Sequence, residues 1–355
     1  MFRQSDTLTD SRAAVARTWA WPGARLAWLA LLTVALLVPL VSSEYWLKGI
    51  LIPALIYSLA TLGLNVVTGY AGLISLGQAA FMAVGAFMGV ISYGRYGVPL
   101  LGSVLVAGLA AALVGAVVGV PSLRIRGLYL LVATLAAQFI VTWSIQRVPW
   151  FGAASFGTVN TPPVRIGSWV IASAAEQYYL TLAIVAALTV FGRNLVHSRV
   201  GRAWIAIRER DVAAASLGIS MFRYKLLAFM ISSFYAGVAG ALVVFAWVGA
   251  ANIQEYSLDL SIQILGMVII GGMGSIAGSF LGAGFVTLMP ILINVSLRAG
   301  YRLIGNTLVS SMVLANVEHV VFGALILFFL IVEPRGLARL VEVSATRLSG
   351  RKSTA

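Results

Sequence analysis

The chain has no cysteine among its 355 residues, so neither a disulfide nor a thiolate metal site can be built from it. Lysine is nearly as scarce. Only Lys48, Lys225 and Lys352 occur, and none follows a glycine, which rules out a G-x-x-x-x-G-K-[ST] phosphate loop in this sequence. Its two histidines, His197 and His319, are too few for a histidine-based metal cluster. Charged residues make up 10% of the chain, against roughly a quarter in an ordinary soluble domain.

What fills the chain is apolar. Hydrophobic residues account for 60%, and the mean hydropathy is +0.97. Residues 49–94, 96–123, 127–146, 226–254 and 260–297 contain no Asp, Glu, Lys, Arg or His. About 20 such residues are enough for a helix to cross a hydrocarbon core of roughly 30 Å. Open sheets cannot cross lipid, and a barrel would show short alternating segments instead. The expected fold class is therefore all-α: a polytopic integral membrane protein.

Ten spans are predicted, at about 26–41, 49–68, 74–93, 98–120, 128–146, 178–192, 226–248, 260–271, 276–297 and 320–332. Two uncharged runs must be divided. A helix over 260–297 would be about 57 Å long, so it should break at Gly271-Gly272-Met273-Gly274. The run 49–94 should turn at Gly69-Tyr70-Ala71-Gly72. Spans eight and ten are short enough to be half-helices. The first stretch resembles a signal peptide, with Arg3, Arg12, Arg17 and Arg25 ahead of Leu26–Val41 and Ser42-Ser43 after it. The long basic region and Pro39 favour a retained span.

The formal net charge is +13, but no basic stripe interleaved with aromatics points to nucleic acid. The charges lie in gaps between apolar runs, where they set orientation. With both termini cytoplasmic, eighteen of the 24 Lys and Arg residues fall inside. A nine-span arrangement would leave the basic C-terminal tail outside. The reading divides the chain into a basic cytoplasmic tail (1–25), a transmembrane domain (26–336) and a second basic tail (337–355). A cytoplasmic loop over 193–225 carries a predicted helix, Ala203–Leu217, stopped by Gly218. The outer loop, 147–175, is rich in Gly, Pro and aromatics and should lie at the membrane surface. A further surface helix is expected over 303–317.

No catalytic constellation is present. Glu44, Glu176, Glu255, Asp259 and Glu318 all lie at span edges. Proton-coupled carriers usually need a titratable group at membrane depth, so its absence weighs against an ion-coupled carrier or an intramembrane hydrolase. Two small-residue patterns are present, Gly274/Gly278/Gly282 and Ala111/Gly115/Gly119. They put small residues on one helix face, for internal packing or for a subunit or pathway surface. Polar groups within spans are Asn65, Thr68, Ser75, Gln78, Thr134, Gln138, Ser232, Ser233, Gln263 and Asn294. Asn65–Gln78 flanks a glycine-rich interruption, where the N-terminal end of a broken helix can meet a carboxylate. Asn65, Ser75, Gln78, Thr134 and Gln138 are the expected pathway residues.

Several stretches carry a family resemblance. LNVVTGYAGLISLGQAAF (64–81), GLYLLVATLAA (127–137), the loop sequence 201–241, GGMGSIAGSFLGAG (271–284) and EPRG (333–336) resemble branched-chain amino acid ABC importer permeases, the M-type most closely. The resemblance implies a permease in a bacterial inner membrane that takes up leucine, isoleucine and valine, or alternatively urea or short amides. It implies no cofactor of its own. ATP would be bound by two cytoplasmic ATP-binding cassette subunits, alongside a homologous second permease and a periplasmic amino-acid-binding protein. It also places an ATPase-docking loop at Val212-Ala213-Ala214 with Gly218. Val212 stands where the family's loop motif has Glu, so Glu209 and Asp211 would supply the acidic character. FGAASFG (151–157) matches the family only in part.

Overall fold

The structure, a computed structural model, describes Thr33 and residues 35–39, 42–122, 128–151, 158–166, 169–171, 173–303, 311–332 and 336–338. The N-terminal tail, the C-terminal tail beyond Ala338, most of FGAASFG, residues 333–335 of EPRG and the side chains of Asn294 and Glu318 lie outside the described residues.

The described chain is mostly helical. After a helical stretch at 35–39 come α1 (Glu44–Tyr70), α2 (Gln78–Gly94), α3 (Leu100–Ser122), α4 (Leu128–Arg147) and α5 (Ala174–His197). Two short helices follow, α6 (Arg199–Glu209) and α7 (Asp211–Ser216), then α8 (Met221–Val248), α9 (Leu258–Gly271), α10 (Ile276–Leu303) and α11 (Ser311–Val332). Among the described residues six helices are long and apolar enough to cross a membrane, while α2 and α9 are shorter apolar helices.

The local causes are readable. Ser173 accepts from the Glu176 backbone and Glu176 answers the Ser173 backbone, a capping box that starts α5. Ser198 caps α6 by accepting from Val200. Both expected interruptions occur. α1 widens into a π-helical turn at Val66–Tyr70 before Gly72 (φ 71°), and α9 ends at Gly271 before Gly272 (φ 116°) and Gly274 (φ 81°).

The helices form two interlocked sets. α1 and α8 each end in a π-helical turn followed closely by a left-handed glycine, Gly72 or Gly249, then a short helix and a long one. α8 packs chiefly on α2 and α3, whereas α1 packs chiefly on α10, α8 and α5, with α9 next. The end of α1 and the start of α8 both lie beside α6, so these two central helices run antiparallel. This is the arrangement of an inverted repeat whose halves exchange their leading helices.

Small residues permit that exchange. Without a hydrophobic drive between helices in lipid, close backbone approach supplies the packing. Gly85 lies against the Gly237 backbone and Gly240 against that of Met82. The face Ala111/Gly115/Gly119 meets Gly237, Ser233 and Phe229 of α8, so it is an internal contact. Gly278 and Gly282 pack on α9, where a Cβ at Gly278 would lie 2.6 Å from the Gly271 carbonyl oxygen. Gly274 does not share that face, because α10 begins only at Ile276 and Gly274 forms the turn before it.

Three other expectations change. Span ten begins at Ser311, so α11 has 22 residues and is no half-helix; Glu318 and His319 interrupt the uncharged run without ending the helix. The surface helix expected over 303–317 is thus partly the start of α11. The helix expected over Ala203–Leu217 is split at Arg210, whose φ of −151° and ψ of 94° are extended. Finally, β1 (Thr158–Asn160) in the outer loop pairs antiparallel with β4 (Ala250–Asn252), and β2 (Arg165–Ile166) with β3 (Trp169–Val170). Part of the loop therefore joins the α8–α9 connection.

Candidate functional site

The broken segment after α1 is held by side chains from four other helices. Asn65 is fully buried and reaches the turn before α10. Its Nδ2 donates to the Ser275 carbonyl at 2.8 Å and to Ser279 Oγ at 2.9 Å, while Oδ1 accepts from the Gly274 amide at 2.8 Å. One amide thus binds the two glycine interruptions together. A Cβ on Gly69 would collide with Asn65 and Gly274, so that approach requires glycine.

The other expected pathway residues surround the start of α2. Leu76 donates to Thr134 Oγ1 at 3.0 Å, and Gly77 to Ser75 Oγ at 3.4 Å. Ala79 donates to Ser261 Oγ at 2.9 Å and Ala80 to Gln138 Oε1 at 2.7 Å. Gln138 Nε2 then donates to the Tyr256 carbonyl at 2.9 Å. Gln78 donates to the Ala60 carbonyl at 3.1 Å and accepts from Ser232 at 3.3 Å. Buried polar groups carry a penalty unless bonded, and here they satisfy one another. The helix end that sequence reasoning offered to a substrate carboxylate has these donors already taken by the chain itself. Thr68 differs, since its buried hydroxyl has no hydrogen-bond partner.

The connection between α5 and α8 forms the second part of the site. The inner face of α6 is Gly201, Ala203, Trp204 and Ile207. Trp204 is fully buried, and its Nε1 donates to the Tyr224 carbonyl at 2.8 Å, fastening α6 to the start of α8. Farther along α6, Arg208 reaches the glycine interruptions. Its Nη1 donates to the Gly69 carbonyl, its stem lies against Gly72, and Nη1 is 3.3 Å from where a Gly274 Cβ would stand.

α7 turns the other way. Val212 is 75% exposed, Leu217 is 81% exposed, and Ala213 is exposed with them. Ala214 is 2% exposed and points inward, so the two alanines expected in the docking loop face different ways. A six-residue helix has Ala213 and Ala214 about 100° apart, so both cannot face one partner squarely. Asp211 Oδ1 accepts from the Val212 amide, Glu209 is exposed, and Gly218 (φ 80°) ends the segment as expected. Arg208 and Ser261 were missed. Orientation accounted for every arginine in this loop, and a lone serine in an apolar span gives no signal of what it caps.

Residues 47–330 match the family described as branched-chain amino acid transport system, permease component. The chain is 35% identical over 246 residues to the high-affinity branched-chain amino acid transport system permease protein LivM of Escherichia coli K12, covering 62% of this chain and 57% of that protein. It is 34% identical over 272 residues to LivM of Salmonella typhimurium, covering 70% and 63%. The second permease named for that system there, LivH, is 28% identical over 196 residues, covering 52% and 57%. The chain thus spans about three fifths of the length of the LivM relatives. No solved structure matches it.

Proposed function

The chain belongs to the family of branched-chain amino acid transport permease components, and from that premise we propose that it forms the membrane pathway of an ATP-driven importer for leucine, isoleucine and valine. The observation that carries the ATP-driven reading is the helix pair α6–α7. One member exposes an apolar face, and the other is bonded through Arg208 to the interruptions of the transmembrane helices. Such a pair can take a push from a separate ATPase and deliver it to α1 and α10. The likeness to both LivM and LivH supports pairing with a homologous second permease. Two cytoplasmic ATPases and a periplasmic binding protein complete the proposed assembly in the bacterial inner membrane.

Ser75, Gln78, Thr134 and Gln138 serve this pathway from behind, by fixing where the short helix α2 begins, and Asn65 by tying the end of α1 to the turn before α10. The test is leucine uptake by cells carrying the complete system. Excess isoleucine or valine should compete, while urea and a nucleoside should not, and Gln78→Leu should slow uptake without lowering the amount of permease. Competition by urea alone would overturn the substrate, and unchanged uptake by Gln78→Leu would reduce that residue to packing.

Nine bilayer-length or shorter apolar helices, α1–α5 and α8–α11, with the helical stretch at 35–39, support ten crossings with both termini cytoplasmic. The absence of cysteine allows single cysteines to be labelled without background. Ser5→Cys and Ser353→Cys should react with an impermeant maleimide only after the membrane is opened. Labelling of either in intact spheroplasts rejects this topology.

A further inference from the structure

A cavity of about 360 Å³ lies at the end of the bundle opposite α6 and α7, beneath the α8–α9 connection. That volume is within the range of small-molecule sites, roughly 300–1,000 Å³. Its walls include Tyr57, Trp247, Glu255, Tyr256, Asp259 and Gln263. Tyr57 is the midpoint residue of α1, so the cavity extends from the connecting loop toward the middle of the bundle.

Its chemistry is one-sided. Two carboxylates line it, and among the described residues no Lys, Arg or His does. Among the described residues neither Glu255 nor Asp259 has an ion-pair partner. Tyr57 and Trp247 meet edge to face, their ring centroids 6.0 Å apart at 83°. The second, independent observation is Tyr256. It is 1% exposed on this wall, and among the described residues its hydroxyl has no hydrogen-bond partner. A buried hydroxyl left unmatched is costly, so a ligand that bonds to it supplies a hydrogen bond the chain itself does not make.

We propose that this cavity is a binding site for a primary alkylammonium group. An ammonium brings three donors and a positive charge. Glu255, Asp259, Gln263 and the Tyr256 hydroxyl offer acceptors, and the Tyr57 and Trp247 rings offer π faces that attract a cation. A hard metal ion fits poorly, since calcium takes six to eight oxygen ligands. Among the described residues no three His, Asp or Glu side chains stand close enough to share a metal. Burial raises the Glu255 carboxyl above its ordinary value, and a cation bound beside it would lower it.

The site connects to the helix break. The Tyr256 carbonyl accepts from Gln138, whose other amide atom holds the Ala80 amide at the start of α2. An ammonium drawn against Glu255 and Tyr256 therefore acts on the side chain that anchors α2. Resting on the amino acid reading, this site takes the α-ammonium end of the passing substrate. The same chemistry also admits the headgroup of phosphatidylethanolamine.

The test is a tryptophan-fluorescence titration of the assembled transporter in vesicles of phosphatidylcholine and phosphatidylglycerol, repeated with phosphatidylethanolamine added. Leucine and 3-methylbutylamine, which keeps the ammonium and lacks the carboxylate, should both change the emission. 4-Methylpentanoate, which lacks the ammonium, should not. Trp247→Phe should remove the signal, and Glu255→Gln or Asp259→Asn, each of nearly unchanged size, should weaken binding about tenfold or more. Loss of the amine response when phosphatidylethanolamine is present assigns the site to the lipid headgroup; an unchanged response assigns it to the free amine. Equal affinities for wild type and both carboxylate variants, or binding of 4-methylpentanoate, overturn the site. If amine binding persists while leucine uptake fails, the transport reading falls and the site stands.

Discussion

Arg208→Ala is expected to lower uptake of leucine by the proposed importer about tenfold or more, while leaving the permease in the membrane with the proposed ATPase bound. The guanidinium donates to the Gly69 carbonyl, and the same nitrogen lies beside Gly274. These belong to the two interruptions that Asn65 also joins, so one side chain of α6 touches the junction on which α1, α9 and α10 all end or begin. A hydrogen bond from a charged donor contributes about 1.5–3 kcal/mol, a modest share of folding stability but enough to shift a two-state coupling equilibrium tenfold or more. The measurement that separates transmission from simple stability is leucine moved per ATP hydrolysed. That ratio should collapse in Arg208→Ala while ATP hydrolysis continues. Arg208→Lys should recover little of it, because its strongly hydrated ammonium replaces a more weakly hydrated guanidinium in this contact. A normal ratio in Arg208→Ala would remove the residue from the coupling path.

The parts of this fold that were legible in the sequence are those fixed by lipid. A run such as 226–254 can only be a crossing helix, and a run as long as 260–297 can only be broken. Glycine marked both breaks because the turns need left-handed backbone at Gly72, Gly272 and Gly274. The residues expected to line the pathway are polar and buried, but their partners were out of reach of the sequence. Nothing in sequence spacing tells Gln138 that its partners are Ala80 and Tyr256, 58 and 118 positions away. The small-residue faces were visible, yet whether they meet the chain's own helices or another subunit depends on which halves interlock. Arg208 stayed hidden for a different reason. The charge bias read for orientation explained all the loop's arginines equally, so the one that bonds into the bundle looked like the others.

The exposed face of α7 makes a sharper prediction than the loop's alanine run did. Leu217 and Val212 expose most of their surface at the end of the bundle that carries α6, where a soluble partner can reach them. An apolar side chain buried at the centre of such an interface contributes about 2 kcal/mol or more, and a carboxylate in its place also carries a desolvation cost. Leu217→Glu is therefore expected to weaken association with the ATPase about thirtyfold, with uptake falling in parallel and the amount of permease unchanged. Ala214→Trp should behave differently. Ala214 is 2% exposed between α7 and the body of the permease, so a bulky ring there overpacks the chain itself by about 1–3 kcal/mol. Its expected signature is a lower thermal midpoint of the detergent-solubilised permease measured without ATPase, a quantity that Leu217→Glu should leave alone. Co-purification of ATPase with each variant, set beside that midpoint, distinguishes the two positions. Full ATPase recovery by Leu217→Glu would show that the partner docks elsewhere, and an unchanged midpoint for Ala214→Trp would show that Ala214 faces the partner after all.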